Sequence, residues 1–145
     1  MTIKNLNSFK KNLEKKMTTN ARKNVKIAVS RGTSLVENEA KESIAQGGTG
    51  KTYEMYNPRR THTASKSGQP PATDTGFLIG QITMNVKSHA DGSVVGQVIS
   101  AAPYSKALEF GTTTMDARPF MHPALEKNKK KIVSIFKQHG VITWV

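Results

Sequence analysis

The chain has 145 residues, enough for one hydrophobic core and too few for two ordinary domains. It is 36% hydrophobic and 22% charged with a formal net charge of +12, a soluble globular composition, and its lack of cysteine excludes disulfides and thiolate chemistry. No apolar run approaches the roughly 18 residues of a membrane span, and the early lysines are not followed by the continuous apolar segment of a signal peptide. The charge is concentrated at the two ends. Residues 1–31 hold nine Lys or Arg against Glu14 alone, residues 126–138 hold five Lys against Glu126 alone, and the middle balances eight charges of each sign.

In chain order, Leu6, Phe9, Leu13, Met17, Ala21, Val25, Ala28, Val36, Ala40 and Ile44 recur every three or four residues. The spacing predicts one apolar stripe on long helical structure that serves as core. Arg31-Gly32-Thr33 is the expected break, because glycine weakens a helix interior by about 1 kcal/mol relative to alanine. The prediction is two helices or one kinked helix over residues 1–46. Residues 47–76 are rich in Gly, Thr, Ser and Pro and are expected to form a long flexible loop or hairpin that serves an interface. Within it, Thr52 to Tyr56 and Thr61 to Ala64 can pair about an Asn57-Pro58 turn, and Pro70 and Pro71 impose an extended backbone.

Residues 77–145 read as sheet plus helices. Ile82, Met84 and Val86 alternate with Thr83, Asn85 and Lys87, Asp91-Gly92 signals a turn, and Val94 to Ile99 supplies an antiparallel partner. Tyr104, Ala107 and Leu108 share one face of a short helix that Gly111 ends, since glycine accepts the left-handed backbone of a closing turn. Pro123 suits the first position of another helix, whose Leu125, Ile132, Ile135 and Phe136 face inward until His139-Gly140 stops it. Val141 to Val145 read as a last strand. The expected class is α+β: one domain over 1–145, with a small, mainly antiparallel sheet packed by long N-terminal helices and a C-terminal helix.

Little in the sequence points to catalysis. Residues 45–52 resemble a phosphate loop, but the first glycine is replaced by Ala45, a helix precedes the loop, and no helix follows to present its N-terminus to an anion. His62, His89, His122 and His139 lack metal-ligand spacing, and neither a nucleophile elbow nor a close carboxylate pair occurs. No cofactor and no enzyme activity are expected. Glu109 and Arg118, flanked by Phe110 and Phe120, are the charged residues that stand out. They can form a salt bridge that closes the Gly111–Ala117 loop, or each can cross to a neighbouring subunit.

Two blocks resemble a known family. Pro103-Tyr104-Ser105, Leu108-Glu109-Phe110-Gly111-Thr112 and Ala117-Arg118-Pro119-Phe120-Met121 with Pro123-Ala124-Leu125 form one. His62, Ala64-Ser65, Gly68-Gln69-Pro70-Pro71-Ala72 and Thr75-Gly76-Phe77-Leu78 form the other. In this order and spacing they are similar to the tail-completion, or head–tail joining, proteins of long-tailed bacteriophages, which are minor tail components. The resemblance implies a virion structural protein at the neck, made in the host cytoplasm and assembled as a ring of copies of itself, sixfold, that joins the tail to the DNA-filled head. Its implied partners are head-side connector or portal-complex proteins, a tail-tube or tail-terminator protein and packaged DNA, with no membrane. Interface residues by this reading are Tyr104, Glu109, Phe110, Gly111, Arg118, Pro119, Phe120, Pro70 and Pro71. Lys10, Lys11, Lys15, Lys16, Lys129, Lys130 and Lys131 are candidates to touch DNA or acidic surfaces. The alternative function is non-specific DNA binding through these lysine-rich helices, with a solvated lysine face as the plainest account of them.

Overall fold

The computed structural model describes residues 6–141, and for Leu6–Lys10 and Leu13 their backbone alone. The elements are α1 (Leu6–Ala45), β1 (Thr52–Tyr56), β2 (Arg59–Thr63), α2 (Phe77–Gly80), β3 (Ile82–Ser88), β4 (Val94–Ser100), α3 (Ser105–Phe110) and α4 (Met121–Gln138). This is the α+β class expected, with its strands divided between two antiparallel hairpins, β1–β2 and β3–β4.

α1 runs for 40 residues without a break, about 60 Å at 1.5 Å per residue. The interruption expected at Gly32 does not occur because α4 crosses there. A Cβ on Gly32 would lie 3.4 Å from Ile132 Cγ2 and 3.7 Å from Phe136 Cε2, and this close helix contact offsets the weak helix propensity of glycine. The apolar stripe of α1 divides into two parts. Val36, Ala40 and Ile44 join Leu78, Ile82, Ala102, Phe120 and Ala124 in the core. Met17 and Ala21, assigned to the core by the same periodicity, are exposed, Met17 at 64%. Periodicity identifies an apolar face; whether it is covered depends on where the other elements lie, and they begin beside Val25. The side chains of Leu6, Phe9 and Leu13 lie outside the described residues.

The β3–β4 hairpin packs on α1 in the register Ile82↔Ser100, Met84↔Val98, Val86↔Gly96 and Ser88↔Val94. Gly96 is required by that contact: a Cβ would overlap Thr33 Oγ1 and approach Val29 Cγ1 to 2.9 Å. Thr33 is itself buried, and its hydroxyl donates to the Val29 carbonyl at 2.8 Å. On the outer face Val95 and Ile99 remain 42% and 44% exposed. The β1–β2 hairpin turns at Asn57-Pro58, whose peptide bond is cis. The glycine-rich exit from α1 lies against its end, with Gly50 N–H donating to Ala64 O at 2.7 Å.

α4 begins at Met121, two residues before the predicted start, and Pro123 falls in its first turn, where a missing N–H still needs no acceptor. Ala124 and Asn128 are buried, and Ile132 packs against the core. That row, one residue every four, is the inward face. Leu125 stands about 100° round the helix from Ala124 and is 49% exposed, not inward as predicted. Lys127 bonds Glu39 across α1 and α4. Of the final strand expected over Val141–Val145, only Val141 is described, its N–H donating to Phe136 O at 2.9 Å; residues 142–145 lie outside the described residues.

Candidate functional site

The two motif blocks meet in space around residues 103–125. Tyr104 lies beside Phe77, their ring centroids 6.2 Å apart and tilted by 38°. Leu108 packs on the core from α3. Gly111 ends α3 with φ 76° at a narrow neck, where a Cβ would come within 2.9 Å of Ala117 N and Met115 O. The loop is closed by backbone bonds from Thr112 N–H to Met115 O (2.8 Å) and from Arg118 N–H to Leu108 O (2.7 Å).

Glu109 does not pair with Arg118. Its carboxylate accepts hydrogen bonds from the backbone N–H groups of Phe120 (2.9 Å), Met121 (3.0 Å) and His122 (2.8 Å), and among the described residues no carboxylate lies within 4.0 Å of the Arg118 guanidinium. The first N–H groups of α4 have no acceptor within the helix and carry its partial positive charge. Glu109, reaching over from α3, meets three of them at once, so the end of one helix caps the start of the next. The Arg118 side chain is half-buried, and its Nε is buried without a hydrogen-bond partner.

A cavity of about 300 Å³ lies where the blocks converge, its polar wall formed by His62, Ser65, Asp74, Tyr104 and Arg118. The Ala64–Gly76 segment is tied down around it by Gly68 N–H to Ala117 O (3.0 Å) and Thr73 N–H to Ile44 O (3.3 Å). Arg60 grips Asp74 with two bonds, at 2.8 and 2.7 Å, and that pairing holds the Asp74 carboxyl below its ordinary range. His62 Nδ1 is 4.0 Å from Asp74 Oδ1. Ser65 is only 5% exposed, and its hydroxyl has no partner. Pro71 is buried against the cavity and Pro70 is half-buried. Ser65 and the Arg60–Asp74 pair are functional candidates that sequence patterns did not single out. Ser65 stands inside a motif block, but its burial has no sequence signal.

A second concavity, of about 900 Å³, runs between α1, β4, α3 and α4. Val29, Val36, Val98, Ile132 and Phe136 line it, and Phe120, 1% exposed, closes its floor. Phe110 and Leu125 stand on its rim, 76% and 49% exposed. A pairwise motif does not reveal such a groove, although Phe110 gave a hint by being aromatic and off the buried face of α3. Pro119 is half-buried just before Phe120. Of the basic candidates, Lys11, Lys15 and Lys16 are exposed on α1, and Lys129, Lys130 and Lys131 are exposed on α4, with Lys129 Nζ 3.6 Å from Glu126. The Lys10 side chain lies outside the described residues. Among the described residues no group of three or more His, Asp or Glu converges to hold a metal ion, and no helix is long and apolar enough to cross a membrane.

Residues 7–111 match the family model described as "Bacteriophage HK97-gp10, putative tail-component". The match includes the His62–Leu78 block, α3 and Gly111, and stops before Arg118. No curated protein and no solved structure gives a significant match.

Proposed function

The chain belongs to the HK97-gp10-like family of bacteriophage tail components, and on that premise we propose that it is a structural protein of the virion neck, forming a closed ring that joins the tail to the DNA-filled head. The observation that carries this reading is the open apolar groove with Phe110 and Leu125 on its rim. Monomers rarely leave so large a connected apolar surface in water, and such a surface marks a contact with another chain. A head-to-tail contact between unlike surfaces closes into a ring when the rotation between neighbours allows it. The ring is proposed to be a hexamer, with head-side connector or portal-complex proteins and a tail-tube or tail-terminator protein as neighbours. The chain acts without catalysis or cofactor, as a single domain over 1–145, in assembly within the host cytoplasm. Tyr104, Glu109, Phe110, Gly111, Arg118, Pro119, Phe120, Pro70 and Pro71 shape or adjoin its contact surfaces.

The test is electron microscopy of particles made with this gene deleted from its phage, and with the gene restored. Full heads beside separate, finished tails are expected. Normal infectious particles in the deletion would refute the neck role.

A second reading, non-specific DNA binding, draws on one observation. Lys11, Lys15, Arg22 and Lys26 recur at four- and seven-residue spacing on one side of α1, and all four are exposed. In this reading the row tracks phosphates, and affinity for labelled duplex falls steeply between about 50 and 200 mM salt because phosphate contacts release counterions. Binding that is weak at both concentrations excludes it.

A further inference from the structure

We propose that the cavity between His62 and Arg118 is a carboxylate-binding site, filled in the assembled particle by an Asp or Glu side chain from a second copy of this chain. Two buried polar atoms without partners, Ser65 Oγ and Arg118 Nε, border this one cavity. Orphaned buried donors are rare in folded chains, because each forfeits its hydration. Both are donors here: guanidinium nitrogens have no acceptor capacity, and a serine hydroxyl supplies one O–H. The only carboxylate in the wall, Asp74, is already engaged by the two bonds from Arg60. The missing group is therefore an acceptor, and an anionic one matches a guanidinium edge in a two-pronged bond. Pro71, Leu78 and Leu108 supply an apolar wall for the methylenes of an acidic side chain. A cavity of about 300 Å³ admits such a side chain and excludes a nucleotide, and the neighbouring Asp74 charge disfavours a dianion such as phosphate.

The charge pattern points to a second copy as the source. Residues 32–125 contain eight cations and eight acids. Among the described residues, Arg118 has no acidic partner within 4.0 Å, while Glu54 and Asp116 are exposed acids with no cation within that distance. The unmatched charges of one copy complement those of the next. The choice of a second copy rests on the ring reading above; the carboxylate site does not.

The test is a titration of the ¹⁵N-labelled full chain with sodium acetate, with sodium chloride at equal ionic strength as control, following arginine Nε–H resonances. The Arg118 signal is assigned by its loss in Arg118→Gln. It is expected to shift and saturate with acetate and not with chloride, and Ser65→Ala is expected to weaken acetate binding at least threefold while the amide spectrum away from the cavity stays unchanged. An equal response to chloride, or unaltered acetate binding in Ser65→Ala, overturns the site. If Arg118→Gln fails to fold, Arg118→Lys supplies the assignment and the acetate affinity of Ser65→Ala decides between the outcomes. Concentrating the protein without acetate is expected to move the same signal, and acetate to reverse the movement. Saturable acetate binding with no concentration-dependent shift overturns the second copy as donor. Rings that form as readily in Ser65→Ala and Arg118→Gln as in the parent overturn the pocket's part in assembly while the ring reading stands.

Discussion

Glu109 shows how far a residue's role can be read before its surroundings are known. Its place in a motif beside Phe110 and Gly111 marked it correctly as a fixed point, and the obvious partner by charge was Arg118. The structure gives it the start of α4 instead, because three unpaired N–H groups in one place satisfy a carboxylate more fully than one distant guanidinium. Hydrogen bonds to charged groups contribute about 1.5–3 kcal/mol each before the remaining group rehydrates. We therefore expect Glu109→Ala to lower unfolding free energy by about 2–3 kcal/mol in urea titrations, and Glu109→Gln, which keeps one good acceptor, to lower it less. An equal and small loss in both would mean that the cap contributes little. A different constraint holds at Gly96. Adding a methyl group where Thr33 and Val29 already sit overpacks the hairpin against α1, at a cost of about 1–3 kcal/mol for Gly96→Ala. Gly80, with nothing within 4 Å of its Cβ position, is the control, and Gly80→Ala is expected to stay within about 0.5 kcal/mol of the parent.

At the scale of elements, local patterns were legible and their neighbours were not. The β3–β4 hairpin with its Asp91-Gly92 turn, the β1–β2 pair about Asn57-Pro58, the α3 stop at Gly111 and the α4 stop before Gly140 all follow from alternation, turn chemistry or glycine geometry. Gly32 departs from expectation because helix propensity is a weak local term that a crossing helix overrides. Met17 and Ala21 depart from it because an apolar period does not say what lies opposite. The 11–24 portion of α1 is exposed at every described side chain, so it adds little to the fold of the remainder. Removing residues 1–20 is accordingly expected to leave the urea midpoint nearly unchanged while sedimentation shows ring assembly reduced. A large fall in midpoint would instead place that segment in the fold. Between α1 and α4, the hydrogen bond and charge from Lys127 hold the Glu39 carboxyl below its usual 4.5, and the same contact holds Lys127 above its usual 10.5. A lowered carboxyl stabilises the fold above about pH 4.5, and that contribution disappears as pH falls through the folded value. The raised ammonium contributes below about pH 10.5 and fades above it. Glu39→Gln should therefore separate from the parent in urea midpoint near neutrality and converge with it toward about pH 3; a constant offset would assign the difference to packing.

For the whole molecule, the α+β class and the family were both legible, because they rest on repeated patterns and on motif blocks that need no coordinates. The two concavities were not. Each is assembled from segments far apart in the chain, and the burial of Ser65 or the exposure of Leu125 exists only after those segments meet. The +12 charge follows the same division, since its confinement to the ends is a fact of sequence but its distance from the cavities is a fact of the fold. The closed neck at Gly111 has a practical consequence for the particle. Both ends of the loop are anchored, by the Leu108–Arg118 backbone bond and by the Glu109 cap, while Thr112, Thr113 and Thr114 at its tip are exposed. Foreign sequence spliced between Thr113 and Thr114 would leave those anchors standing, which makes the tip a natural graft point. A short epitope carried there on every copy would serve as a molecular beacon, letting an antibody fragment report where along the phage axis this protein resides.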